Sequence, residues 1–210
     1  MRATSQPRTA AHPADVPKTT DLAKLARAAK RCTACPLYRN ATQGVFGEGL
    51  PEARIVLIGE QPGDQEDLAG RPFVGPAGKL LDQALQETGI DRRSVYVTNV
   101  VKHFKWEPRG KRRLHKKPNA REIAACRPWL EAELASIGPQ AILCLGATAA
   151  QAVIGPSIRV LRDRGKPLVS PFCPRTFVTV HPSSLLRVPD PETRRREYVH
   201  FVADLHAAMQ

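Results

Sequence analysis

Two sets of residues in this 210-residue chain combine reactive types with a usable spacing. Cys32 and Cys35 form the C-x-x-C of CTACP, a spacing that lets two thiolates reach one metal or cluster, and Cys126 opens CRPWL. Zinc and iron-sulfur centres want four ligands, and His103, on the segment leading to Cys126, is the natural fourth. Spacing alone does not separate zinc from iron-sulfur. Cys144, flanked by apolar residues in AILCLG, reads as an inert buried thiol, and Cys173, with no partner at metal spacing, as a free one.

The second set is the run KHFKWEPRGKRRLHKK. Between Lys102 and Lys117 stand eight Lys or Arg residues and one acid, Glu107, a net +7 out of +12 for the chain. A block this concentrated favours a polyanion, with DNA or RNA as the first candidate; the plain alternative is a solvated loop. Within it sits His115, whose side chain titrates near neutrality and can also act as a nucleophile.

These residues need elements to hold them. Leu22, Leu25 and Ala29 recur near helical spacing behind a capping Asp21, so a short helix delivers Cys32. Apolar runs at 53–59, 94–99, 140–146 and 175–180 predict four strands, the first ending in EQPGDQ, read as loop. Pro76 opens a helix with Leu80, Leu81 and Leu85 on one face. Asn119 with Glu122 forms a capping box before Ile123, Cys126, Trp129, Leu130 and Leu134. ATAAQAVIG and PETRRREYVHFVADLHAAM predict two more helices, with Arg194, Arg195 and Arg196 on a solvated face. Strands alternating with helices give an α/β fold, a sheet covered on both faces, with ligands expected at the carboxyl ends of its strands. GEQPG, TNVVKHF and HPSSLLR lie there.

Residues 1–19, rich in Pro, Ala, Ser and Thr, read as a disordered leader, and 20–210 as one domain with a basic insert at 105–117. No apolar run approaches a membrane span or a signal peptide, so the expected location is the cytoplasm, with no membrane partner. Five cysteines in that compartment are poor disulfide candidates.

Six motifs, CTACPLY, IGEQPGDQED, AGRPFVGPAGKLLD, YVTNVVKHF, ACRPWL and VTVHPSSLLR, together closely resemble the uracil-DNA glycosylases that carry an iron-sulfur cluster, in that family's order and over nearly everything from Cys32 onward. GEQPG in place of GEAPG, His103 in place of a cysteine, and the KRRLH insert look like the UdgX subgroup, whose loop usually reads KRRIH.

The resemblance implies a three-layer αβα sandwich around a central, mainly parallel four-stranded sheet. It implies a four-iron four-sulfur (4Fe-4S) cluster on Cys32, Cys35, His103 and Cys126, and a monomer that excises uracil from DNA, single strands favoured, in association with the nucleoid. It also implies covalent attachment to the abasic site through His115. Phe73 is expected to stack on the base and Asn99 to read its edge, with Gly59, Gln61, Gly63 and Asp64 completing the pocket and Gln61 contacting base or loop. His181 is placed to hydrogen-bond the leaving uracil and Glu60 to orient His115. Lys111, Arg112, Arg113, Ser183, Ser184 and Arg187 are expected DNA contacts, with either Arg112 or Arg113 able to pin the loop instead. The competing readings are a turnover glycosylase, in which His115 only touches phosphate, and a non-catalytic nucleic-acid binder supported by its metal site.

Overall fold

The computed structural model describes residues 11–210. Four strands, β1 (Ile55–Gly59), β2 (Tyr96–Asn99), β5 (Ala141–Leu145) and β6 (Thr176–Thr179), form one sheet in the order β2-β1-β5-β6, every neighbouring pair parallel. A separate antiparallel hairpin joins β3 (Trp106–Arg109) to β4 (Arg112–His115).

The period-2 geometry of a strand sends alternate residues to opposite faces, and the two core clusters divide accordingly. Val56 and Ile58 of β1, with Ile142 and Cys144 of β5, pack in one cluster with α1 (Leu22–Ala29), α4 (Ala120–Ile137) and α5 (Ala147–Val153). Leu57, Leu143 and Leu145 pack in the other with α3 (Pro76–Glu87) and α8 (Pro191–Met209). The expected three-layer α/β architecture is therefore observed. Cys144 is fully buried mid-strand, as its apolar neighbours required, and Cys173 is also buried.

Local signals act where the sequence placed them. The Asp21 carboxylate accepts the amides of Ala23 and Lys24, and Asn119 and Glu122 close a reciprocal capping box on α4. Three short helices escaped the reading: α2 (Asp64–Ala69), α6 (Val160–Asp163) and α7 (Pro182–Leu186). Asp64 and Gln65, expected in a loop, open α2, and HPSSLLR is mostly α7. Each is too short to show a helical apolar period, so no pattern could reveal it.

The leader also differs. The Ala14 amide donates to the Ala125 carbonyl at 2.9 Å and that of His12 to Ala34 at 3.0 Å, while Ala14 itself is buried in the core. Residues 11–19 thus lie along α4 rather than outside the fold; residues 1–10 lie outside the described residues. Among the described residues no helix is long and apolar enough to cross a membrane.

Candidate active site

A cavity of about 740 Å³ opens at the carboxyl ends of the sheet strands, lined by Glu60, Phe73, Asn99, His115, Thr148 and His181 among others. Parallel strands aim their following loops to one edge of the sheet, which is why residues distant in sequence meet here.

Its floor is built by close approach. A Cβ on Gly59 would come within 2.4 Å of Asn99 Oδ1 and 2.7 Å of Phe73 Cζ, so only glycine lets the amide and the ring come together. Phe73 adopts φ 56°, unusual for a bulky residue, and its carbonyl sits where a Cβ on Gly78 would fall, at 1.8 Å. The α3 backbone thus abuts this strained turn, and Phe73 stacks near His181, with ring centroids 6.1 Å apart. Among the described residues Asn99 Oδ1, which is buried, has no hydrogen-bond partner. A buried acceptor left without a partner points to a ligand that would supply one.

His181 caps α7 through Nδ1, which accepts the Ser183 amide at 3.2 Å and lies 2.8 Å from the Ser183 hydroxyl. With Nδ1 accepting, the ring proton belongs on Nε2. Burial, then the charges of Arg187 and His115, push His181 down to about 4, so the ring is neutral at pH 7.

His115 stands at the mouth, its side chain half exposed and its Nε2 3.3 Å from Glu60 Oε1. Burial lowers its pKa, Glu60 acts in the opposite direction, and Arg187 lowers it again. Glu60 Oε2 accepts the Thr148 hydroxyl in a very short hydrogen bond. Thr148 follows the one strand-end loop that carried no recognisable motif; its signal would have been Gly146, a glycine closing β5 just before small residues.

The basic block divides. Lys102 is fully buried, donating to Glu133, Thr98 and the Asn99 carbonyl at 2.5, 2.7 and 2.7 Å. Lys105 pairs with Glu122 and Lys116 with Glu107. Arg113, expected either to contact DNA or to pin the loop, binds Asp64 at 2.5 Å and Asp67 at 2.6 Å, and lies over the rings of Phe104 and Trp106. It pins the hairpin. Arg109, Lys111, Arg112 and Lys117 are exposed, with no ion-pair partner among the described residues.

Gln61 contacts the loop. Its Nε2 donates to the carbonyls of Lys105 (3.2 Å) and Lys116 (3.0 Å), and its Oε1 accepts the Lys105 amide (3.2 Å). One buried amide thus holds both ends of the hairpin, with both its N–H donors used and one lone pair of Oε1 left toward the cavity it lines. The Asp64 carboxylate is engaged by Arg113, and the Gly63 amide donates to Glu66, so these two line the cavity with their polar groups already paired. The Ser184 hydroxyl donates to the His181 carbonyl, whereas Arg187 reaches the Ser183 hydroxyl at 3.3 Å.

On the opposite side of the hairpin, burial pushes the Cys126 thiol up to about 12, Lys102 acts against this, and Cys35 and Cys32 raise it further. The Lys102 amide donates to Cys126 Sγ at 3.2 Å, and burial holds His103 neutral at about 4. Among the described residues no three His, Cys, Asp or Glu side chains converge closely enough to hold a single metal ion.

Residues 46–206 match the uracil DNA glycosylase superfamily. The chain belongs to that superfamily. It is 44% identical over 167 residues to a type-4 uracil-DNA glycosylase of Thermotoga maritima, covering 79% of this chain and 83% of that one. It is 38% identical over 176 residues to a type-4 uracil-DNA glycosylase of Pyrobaculum aerophilum, covering 80% and 86%. A type-5 enzyme of Pyrobaculum aerophilum is 29% identical over 178 residues, 74% of each chain.

Proposed function

We propose that this protein is a uracil-DNA glycosylase of the UdgX kind, which excises uracil and then joins itself through His115 to the abasic sugar. The observation that carries the reading is the Glu60–His115 pair at the cavity mouth. The superfamily match and the type-4 relatives support the substrate, and the hairpin bearing His115 supports the attachment.

The nucleotide enters extrahelical, which costs little in a single strand, so single strands are preferred and one copy of the chain suffices. Phe73 stacks on the base and Asn99 reads its edge. As the glycosidic bond breaks, its electrons leave with uracil, and the Nε2 proton of neutral His181 stabilises the developing negative oxygen. The sugar is left as a cation. A lone pair of the neutral His115 imidazole forms the new bond to the anomeric carbon, the positive charge moves to the ring, and Glu60 holds the remaining ring proton. Lys111, Arg112 and Arg187 supply contacts to phosphate.

Cys32, Cys35, His103 and Cys126 would hold a 4Fe-4S cluster. The C-x-x-C pair, a third thiol whose sulfur already accepts a backbone amide and a neutral imidazole suit that group, and a cluster spreads its ligands over its own width where a single ion cannot. When bound, the cluster supplies a rigid tie between the Cys32 region and α4; its redox chemistry is not needed for any step above.

Incubation with uracil-containing single-stranded DNA followed by a denaturing gel tests the proposal. Free uracil together with a protein-DNA band that survives boiling in detergent is expected, with His115 as the modified residue on mass mapping. Uracil release without that band would leave a turnover glycosylase. Brown colour and broad visible absorption on purification report the cluster.

A further inference from the structure

Beside the main cavity lies a second cleft of about 270 Å³ between α3, α7 and the first turns of α8. Leu80, Leu185, Leu186, Pro191 and Tyr198 form an apolar wall, with Arg194 and Arg195 beside it. Leu186, 43% exposed, lines both hollows and so forms the crest between them.

The polar groups of this cleft are unevenly committed. Glu87 Oε1 accepts from both the Tyr198 hydroxyl and Gln83 Nε2, at 3.0 Å each, so the Tyr198 hydroxyl is taken and its ring remains as surface. Arg194 and Arg195 are exposed, and among the described residues neither guanidinium makes an ion pair or hydrogen bond. Arg113 and Arg164, by contrast, each bind two carboxylates. An apolar wall beside two uncommitted guanidinium groups matches a nucleotide, sugar and base against the wall and phosphate on the arginines.

We propose that this cleft is a second DNA subsite that receives the nucleotide flanking the flipped uridine on one side, its backbone phosphates held by Arg194 and Arg195. The inference rests on the glycosylase reading above, because the shared Leu186 makes the cleft continuous with that cavity. The apolar wall meets any base by its face and the arginines meet phosphate, so the subsite discriminates little by sequence.

The test uses the full chain and single-stranded oligonucleotides carrying uracil near the 5′ end, near the 3′ end or at the centre. Wild type should release uracil faster when one particular flank is present. In Arg194→Ala/Arg195→Ala that gain should be lost, while the oligonucleotide lacking the flank reacts at the wild-type rate. On uracil-free single strands, the slope of log binding constant against log salt should shrink by about 1.4, the value for two phosphate contacts. An unchanged slope with unchanged rates, or an equal fall on all oligonucleotides, would overturn the subsite. Failure of wild type to release uracil from any oligonucleotide would instead overturn the glycosylase reading, with the salt slope still deciding whether the cleft holds a strand.

Discussion

Glu60 divides its carboxylate between two partners, Oε1 facing His115 Nε2 at 3.3 Å and Oε2 accepting the Thr148 hydroxyl. The second bond ties one oxygen to α5, leaving the other to face His115. Replacing His115 by Ser should leave uracil excision measurable and abolish the detergent-stable band. His115→Lys should also abolish it, because a protonated amine has no lone pair to offer at pH 7. A band of wild-type intensity in either variant would refute His115 as the attaching residue.

Glu60 also sets how attachment responds to pH. Burial lowers the His115 pKa and Glu60 partly restores it. Attachment, which needs the neutral ring, should hold above about 6.5, the ordinary histidine value, and decline only at lower pH. In Glu60→Gln the decline should move still lower, while the plateau rate drops by roughly 10²-fold for want of an orienting base. Quenched time courses between pH 4 and pH 8 measure both.

Gln61→Ala should release the hairpin. It leaves the Lys105 and Lys116 carbonyls and the Lys105 amide without their side-chain partner, at a local cost of about 1–3 kcal/mol for each group left buried and unpaired. Faster protease cleavage within 105–117 is expected, with attachment reduced far more than excision.

His181→Ala removes the neutral donor. Uracil release should fall by roughly 10²–10³-fold, with binding of uracil-containing DNA little changed. The folded-state pKa of about 4 lies below the ordinary value, so the unfolded chain takes up the proton first on acidification. The stability linked to His181 is complete above about pH 6.5 and is lost as pH falls toward 4. Urea midpoints of wild type and His181→Ala should therefore converge across that window.

Lys102→Met strands a carboxylate. Glu133 is fully buried and accepts from Lys102, Tyr96, Thr98 and the Gly47 amide. Removing the cation paired with it should destabilise by about 3–5 kcal/mol in urea unfolding, and Lys102→Met/Glu133→Leu should recover part of the loss.

The strands and long helices were readable because each carries a full period of apolar residues, as Ile55–Gly59 and Ala120–Ile137 do. Short elements were not: α7 has five residues and shows only as His181 capping its own helix. Charge counts also misled. Lys102 belongs by sequence to the block around KRRLH, yet its partner Glu133 lies 31 residues on, in the last third of α4. The choice between Arg112 and Arg113 could not be made from sequence, because Asp64 and Asp67 approach the hairpin only once α2 forms. Thr148 was missed because ATAAQ resembles ordinary helix filler.

The grip of Gln61 on both ends of the hairpin carries a lesson for transplantation. The insert at 105–117 and the third residue of GEQPG form a single heritable unit split across the sequence: moved alone into a relative with alanine at that position, the insert would arrive without its clasp. A chimera built to acquire the histidine would need both pieces, and an ancestor acquiring them in turn would have profited from the glutamine only after the insert was in place.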